Sequence, residues 1–132
     1  MKKGTVLLAV FVVLAIGLAG CGGGESADGA AAAGEELFNQ SVIDSTPGCV
    51  TCHSLEPGEV IVGPSLAGFG EEAEEEGEAA GMSAEEFIRQ SIVEPDAVLT
   101  EGFDAGIMPG NYDEVLSQEQ LDNLVEFLLS LE

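Results

Sequence analysis

Apolar residues recur at helical spacing in three places along the chain. The clearest stripe is C-terminal: Leu121, Leu124, Val125, Leu128 and Leu131 follow three- and four-residue steps, and Phe127 and Leu129 widen it. Ser117-Gln118-Glu119-Gln120 heads it with a capping box, so a helix starts there. A second capping box, Ser83-Ala84-Glu85-Glu86, opens a helix with Phe87, Ile88 and Ile92 on its apolar face. Met82 and Phe87 stand at the positions of a hydrophobic staple, and Glu94-Pro95 ends the helix near Val93. A third helix is predicted over Glu35–Ile43, with Leu37, Phe38 and Val42 on one side and Pro47-Gly48 blocking continuation. No segment alternates convincingly with the period of a strand. The pattern predicts an all-α domain of three or more helices over residues 34–132. Within it, Glu71-Glu72-Ala73-Glu74-Glu75-Glu76-Gly77-Glu78 packs six acids into eight residues and reads as an exposed mobile loop, open to contact with a partner.

Ahead of the domain the chain changes character. Met1-Lys2-Lys3 is basic, and Val6–Ala19 is an apolar stretch broken only by Gly17, which suits a secretory signal and is short for a membrane span. Its end, Leu18-Ala19-Gly20-Cys21, resembles the bacterial lipobox. That resemblance implies a signal peptide at residues 1–20, cut before Cys21, whose thiol receives a diacylglycerol. The competing reading is an uncleaved anchor with an incidental Cys. Residues 21–33, rich in Gly, Ala and Ser, then read as a lipidated N-terminus and flexible linker. Either way the domain is expected on a cell membrane, on the extracytoplasmic (periplasmic) side, because Lys2 and Lys3 mark the inner side.

Charge narrows the partners. The 132-residue chain has 25 Asp and Glu against 3 Lys and Arg, a net charge of −22. Every acid lies at Glu25 or beyond, so loss of the signal leaves Arg89 as the one basic side chain. Nucleic acid is excluded as a partner, since phosphate backbones need basic patches. Charge-driven docking on anionic lipid is excluded likewise. A charge-steered protein partner must be positive; the rival explanation of the acidity is a salt-adapted host.

The chemistry lies in Cys49-Val50-Thr51-Cys52-His53. C-x-x-C-H is the attachment site of a c-type haem: two thiols add to the vinyl groups, and the imidazole next in sequence reaches the iron. A thioredoxin-like dithiol would need a βαβ context, and a structural zinc site needs four ligands where the chain has one His. The cysteines are then all assigned: Cys21 to lipid, Cys49 and Cys52 to one covalent haem c.

From these residues onward the chain resembles the small single-haem cytochrome c family. Gly34 and Phe38, Gly63-Pro64-Ser65-Leu66-Ala67-Gly68, Leu124 and Phe127, and Gly106-Ile107-Met108-Pro109-Gly110 carry the resemblance. It implies the small cytochrome c fold, with helices wrapped around the haem and the last helix crossing the first. It implies that the Pro64 carbonyl accepts a hydrogen bond from His53, and that Met108 is the second axial ligand. Met82 is the other candidate, better explained as the staple residue, and an open iron site is the third possibility. Phe127 stands where a Tyr or Trp is common. Ser91-Ile92-Val93-Glu94-Pro95, Glu101-Gly102-Phe103 and the Met108 loop also resemble the cytochrome c domains of some oxidase subunit II chains and the small lipoprotein cytochromes of complexes such as alternative complex III. Arg89 offers itself to a haem propionate, though an exposed helix position explains it better. Tyr112 has the same two readings, propionate partner or surface turn residue.

Together these features imply a membrane-tethered one-electron carrier and not an enzyme. It would pass electrons from a quinol-oxidising complex to a terminal oxidase or a photosynthetic reaction centre. The alternatives are a cytochrome subunit bound in such a complex, and a peroxidase with Met108 off the iron.

Overall fold

The computed structural model describes residues 26–132. The proposed signal peptide, Cys21 and the first part of the linker lie outside the described residues. Among those described, no helix is long and apolar enough to cross a membrane.

The first helix, α1 (Ala27–Phe38), begins earlier than its hydrophobic pattern predicts. Ser26 caps it by accepting from the Gly29 amide, and Asp28 sits in the first turn, where a negative charge favours the helix dipole. The alanines Ala30 to Ala33, the best helix formers, carry the helix through residues expected to form a tether. The linker expectation is therefore corrected for residues 27–33, and the helix runs across the expected domain boundary at residue 34. It also stops sooner than Ile43. The Asn39 side chain donates to the Glu35 carbonyl at 2.9 Å and closes the last turn. Val42–Ile43 instead form a short strand, β1, paired antiparallel with β2 (Thr46–Pro47). Asp44, at φ 53°, makes the tight turn between them.

A single 3₁₀ turn covers Cys49–Thr51. The acidic stretch beyond the next loop is the largest departure from expectation: it is a helix, α2 (Phe69–Ala80), and not a mobile loop. Its buried face is the small-residue set Gly70, Ala73 and Gly77, while the glutamates are exposed. Charge repulsion argued for a loop, but Glu favours helix, Glu71 and Glu72 sit in the favourable first turn, and solvent screens the rest. Next come α3 (Ala84–Val93), a one-turn α4 (Tyr112–Val115), and α5 (Gln118–Leu129). Both predicted capping boxes are formed, by Ser83 with Glu86 and by Ser117 with Gln120.

The core is built on the crossing of α1 over α5. At the closest approach Gly34 has no side chain to spare: a Cβ there would run into the Asn123 carbonyl oxygen and lie 2.7 Å from Phe127 Cβ. One turn on, the rings of Phe38 and Phe127 meet at 5.5 Å between centroids, tilted by 54°. Leu124 and Val125 are fully buried beside them, and α3 adds Phe87, Ile88 and Ile92. The fold is mostly helical, as expected from the sequence, with one two-stranded hairpin.

Candidate functional site

α1, α3 and α5 do not close completely against the loops. They leave a cavity of about 530 Å³ whose apolar walls include Phe38, Leu66, Phe87, Ile88, Ile92, Leu124 and Leu128. That is the size and character of a site for a large, mostly apolar ligand. The chemistry-bearing residues converge on it from separate segments: Cys49, Cys52 and His53 from the 3₁₀ turn, Gly63 and Pro64 from the next loop, Met108 from the loop before α4. Met82 does not border the cavity; it packs against the core beside α3.

The His53 ring is held in one orientation. The 3₁₀ turn fixes its backbone, since the His53 amide donates to the Cys49 carbonyl at 2.9 Å. Its Nδ1 donates to the Pro64 carbonyl at 2.9 Å. A carbonyl only accepts, so Nδ1 carries the proton and Nε2 keeps its lone pair. Gly63 lies against the ring: a Cβ there would come within 2.6 Å of Cε1. Burial lowers the His53 pKa from its ordinary value, with the Pro64 bond opposing, which favours the neutral form that binds metal. Burial also pushes the Cys49 thiol up to about 11, so a neutral sulfur suits this wall.

The residues present fit a haem c. A neutral imidazole nitrogen, a thioether and two thiols face one apolar cavity, and the cradle at Gly63 leaves the ring its place. Among the described residues no group of three or more His, Cys, Asp or Glu is arranged to hold a bare metal ion.

The structure bears on Arg89 and Tyr112 as well. Arg89 is not at the cavity: it bridges α3 to α5, pairing with Asp122 at 2.8 Å and with Glu85 at 3.3 Å. Tyr112 is not a surface turn residue: it is 4% exposed, it borders the cavity, and its hydroxyl donates to the Pro47 carbonyl at 2.7 Å. Its neighbour Asn111 donates to the Thr46 hydroxyl at 2.8 Å. The pair ties the segment following Met108 to the one preceding Cys49, a role nothing in the local sequence signals. On the other side of the Met108 loop, Asp96 accepts from the Gly106 amide at 2.8 Å. Glu72 and Glu76 of α2 also reach the cavity border, which a loop reading could not have foreseen.

A family model described as Cytochrome c matches residues 31–132. Comparison with curated proteins gives no match.

Proposed function

The chain belongs to the cytochrome c family, and on that footing we propose that it is a membrane-tethered one-electron carrier with a His/Met-ligated haem. Membership makes it an electron-transfer protein with covalently attached haem c that works with redox partner proteins. The haem supplies one-electron chemistry by cycling its iron between Fe(II) and Fe(III).

The residues divide the remaining work. Cys49 and Cys52 would hold the haem as thioethers. His53 would ligate the iron through Nε2, with its Nδ1 proton on Pro64 fixing the ring and raising its basicity. Met108 would be the second protein ligand to the iron, since it borders the same cavity and Met82 does not. A neutral thioether favours the ferrous state and raises the potential. With His53 and Met108 both on the iron, oxygen or peroxide would find no open position, which argues for electron transfer over peroxidase chemistry. The apolar walls would shield a haem held there from water.

The observation that carries this reading is the convergence of Cys49, Cys52, His53 and Met108 on one apolar cavity. The lipobox-like Leu18-Ala19-Gly20-Cys21 supports a lipid anchor at Cys21 and a place on the extracytoplasmic face of the cell membrane. From there it would serve a respiratory or photosynthetic chain, between a quinol-oxidising complex and a terminal oxidase or reaction centre. An optical redox titration of the purified protein tests the carrier: it should show one reversible one-electron wave. Extraction of native membranes with salt and mild detergent tests its freedom. A carrier is released alone, whereas co-extraction in a fixed ratio with a larger complex would make it a subunit.

A further inference from the structure

Val60, Ile61 and Val62 stand in a row on the loop after His53, and are 61%, 50% and 49% exposed. Three consecutive exposed aliphatics are a liability unless something covers them. Val60 and Ile61 do not border the cavity, so a haem within it leaves them bare. The loop is also fixed in place. Val60 pairs with His53 in an antiparallel bridge, and the amides of Val62 and Gly63 donate to the Cys52 carbonyl at 3.1 and 2.9 Å. The patch is therefore pinned to the backbone of the residues that would hold the haem. Val62 continues it to the cavity border, where Ile107, next to Met108, is exposed as well.

The surroundings are acidic. Exposed Glu56 and Glu59 share the loop, and Asp104 stands three residues before Ile107. Among the described residues Arg89 is the only Lys or Arg, and it is held by Glu85 and Asp122.

We propose that the Val60–Val62 patch is where the protein docks its redox partner, and that this partner is a protein presenting an apolar spot set among lysines or arginines. The proposal rests on the electron-carrier reading and adds the contact surface and the chemistry of what it meets. The acids bring a cationic partner in, and the aliphatics give the short-range contact that excludes water beside the redox centre. A second copy of this chain, or an anionic lipid surface, carries the wrong charge for the same face.

Stopped-flow oxidation of the reduced, haem-loaded protein tests it with three one-electron oxidants. Tris(phenanthroline)cobalt(III) is an apolar-faced cation, hexaamminecobalt(III) a polar cation of equal charge, and ferricyanide an anion. Each takes one electron from the protein, giving cobalt(II) or ferrocyanide and the oxidised protein. Val60→Ser with Ile61→Ser should slow the phenanthroline complex by about threefold or more and leave the other two nearly unchanged. Glu56→Gln should slow both cations alike and speed ferricyanide. Both variants alter exposed side chains, and an unchanged haem spectrum confirms their folding. An unchanged phenanthroline rate in the double variant would overturn the proposal. So would a dimer in sedimentation, or flotation with anionic phosphatidylglycerol vesicles, that the same double variant abolishes. Failure of all three reagents to oxidise the native protein would instead overturn the electron-carrier reading itself.

Discussion

Gly34→Ala should destabilise the protein even though alanine is the better helix former. In the middle of a helix that exchange is worth about 1 kcal/mol in favour of Ala. Here the new methyl meets the Asn123 carbonyl oxygen and lies 2.7 Å from Phe127 Cβ. Both obstacles belong to, or next to, the α5 backbone, so no rotamer change relieves them. Carbon contacts settle near 3.5–4.0 Å, so α1 and α5 must part by roughly 1 Å. That loosens the Phe38–Phe127 pair, and overpacking of this kind costs about 1–3 kcal/mol, with rigid neighbours placing it at the upper end. The propensity gain offsets part, leaving a loss of about 2 kcal/mol. For a domain of this size each kcal/mol moves Tm by about 4–8 °C, so a fall of about 8–16 °C is expected in thermal melts of the haem-loaded protein followed by circular dichroism. Ala32→Gly, at an exposed position on the same helix, should cost only the propensity difference of about 1 kcal/mol. A Tm for Gly34→Ala equal to or above the native value would refute the close crossing.

Three further outcomes are expected. Burial pushes the Tyr112 hydroxyl from an ordinary 10.0 up to about 12, so its contribution to stability is complete below pH 10 and lost as pH rises through 12. Tyr112→Phe should cost about 1 kcal/mol at neutral pH, through the lost bond to Pro47, and flatten the alkaline fall of the urea midpoint; parallel alkaline falls in both proteins would contradict this. The pairs Glu71/Glu75, Glu72/Glu76 and Glu74/Glu78 set like charges one turn apart on α2, each unfavourable by about 0.2–0.5 kcal/mol. Added sodium chloride should therefore raise Tm, and Glu75→Lys should raise it at low salt; a Tm that falls or stays flat in both cases would count against the helix. Asn111→Ala frees the segment after Met108 from Thr46, and should lower the pH at which the far-red thioether band bleaches. An unchanged bleaching pH would remove Asn111 from the positioning of Met108.

The parts of the fold legible in the sequence were those that local chemistry decides. Both Ser-headed capping boxes and the apolar stripes of α3 and α5 follow from spacing alone. The residues that border the cavity were legible in part: the short Cys49–His53 motif and Met108, with its Pro-Gly loop, stand out in the sequence, and both border it. Where tertiary packing decides, the pattern misled. The acidic run looked too repulsive to order, yet Gly70, Ala73 and Gly77 give it a face small enough to lie against its neighbours. Residues 27–33 lack large side chains and so resembled a tether, but alanine needs no partner to favour helix. Val42 and Ile43 fitted the helical stripe and were diverted into a hairpin by the turn at Asp44. The bonds from Asn111 and Tyr112 to Thr46 and Pro47 span 65 residues, beyond the reach of any local motif.

The optical spectrum of the oxidised protein, recorded beside Met108→Ala and Met82→Leu, tests the His53–Met108 centre most directly. The native protein and Met82→Leu should show the weak far-red band of a thioether on ferric haem, and Met108→Ala should lack it. A high-spin native spectrum without that band, or a band that survives in Met108→Ala, would contradict the account.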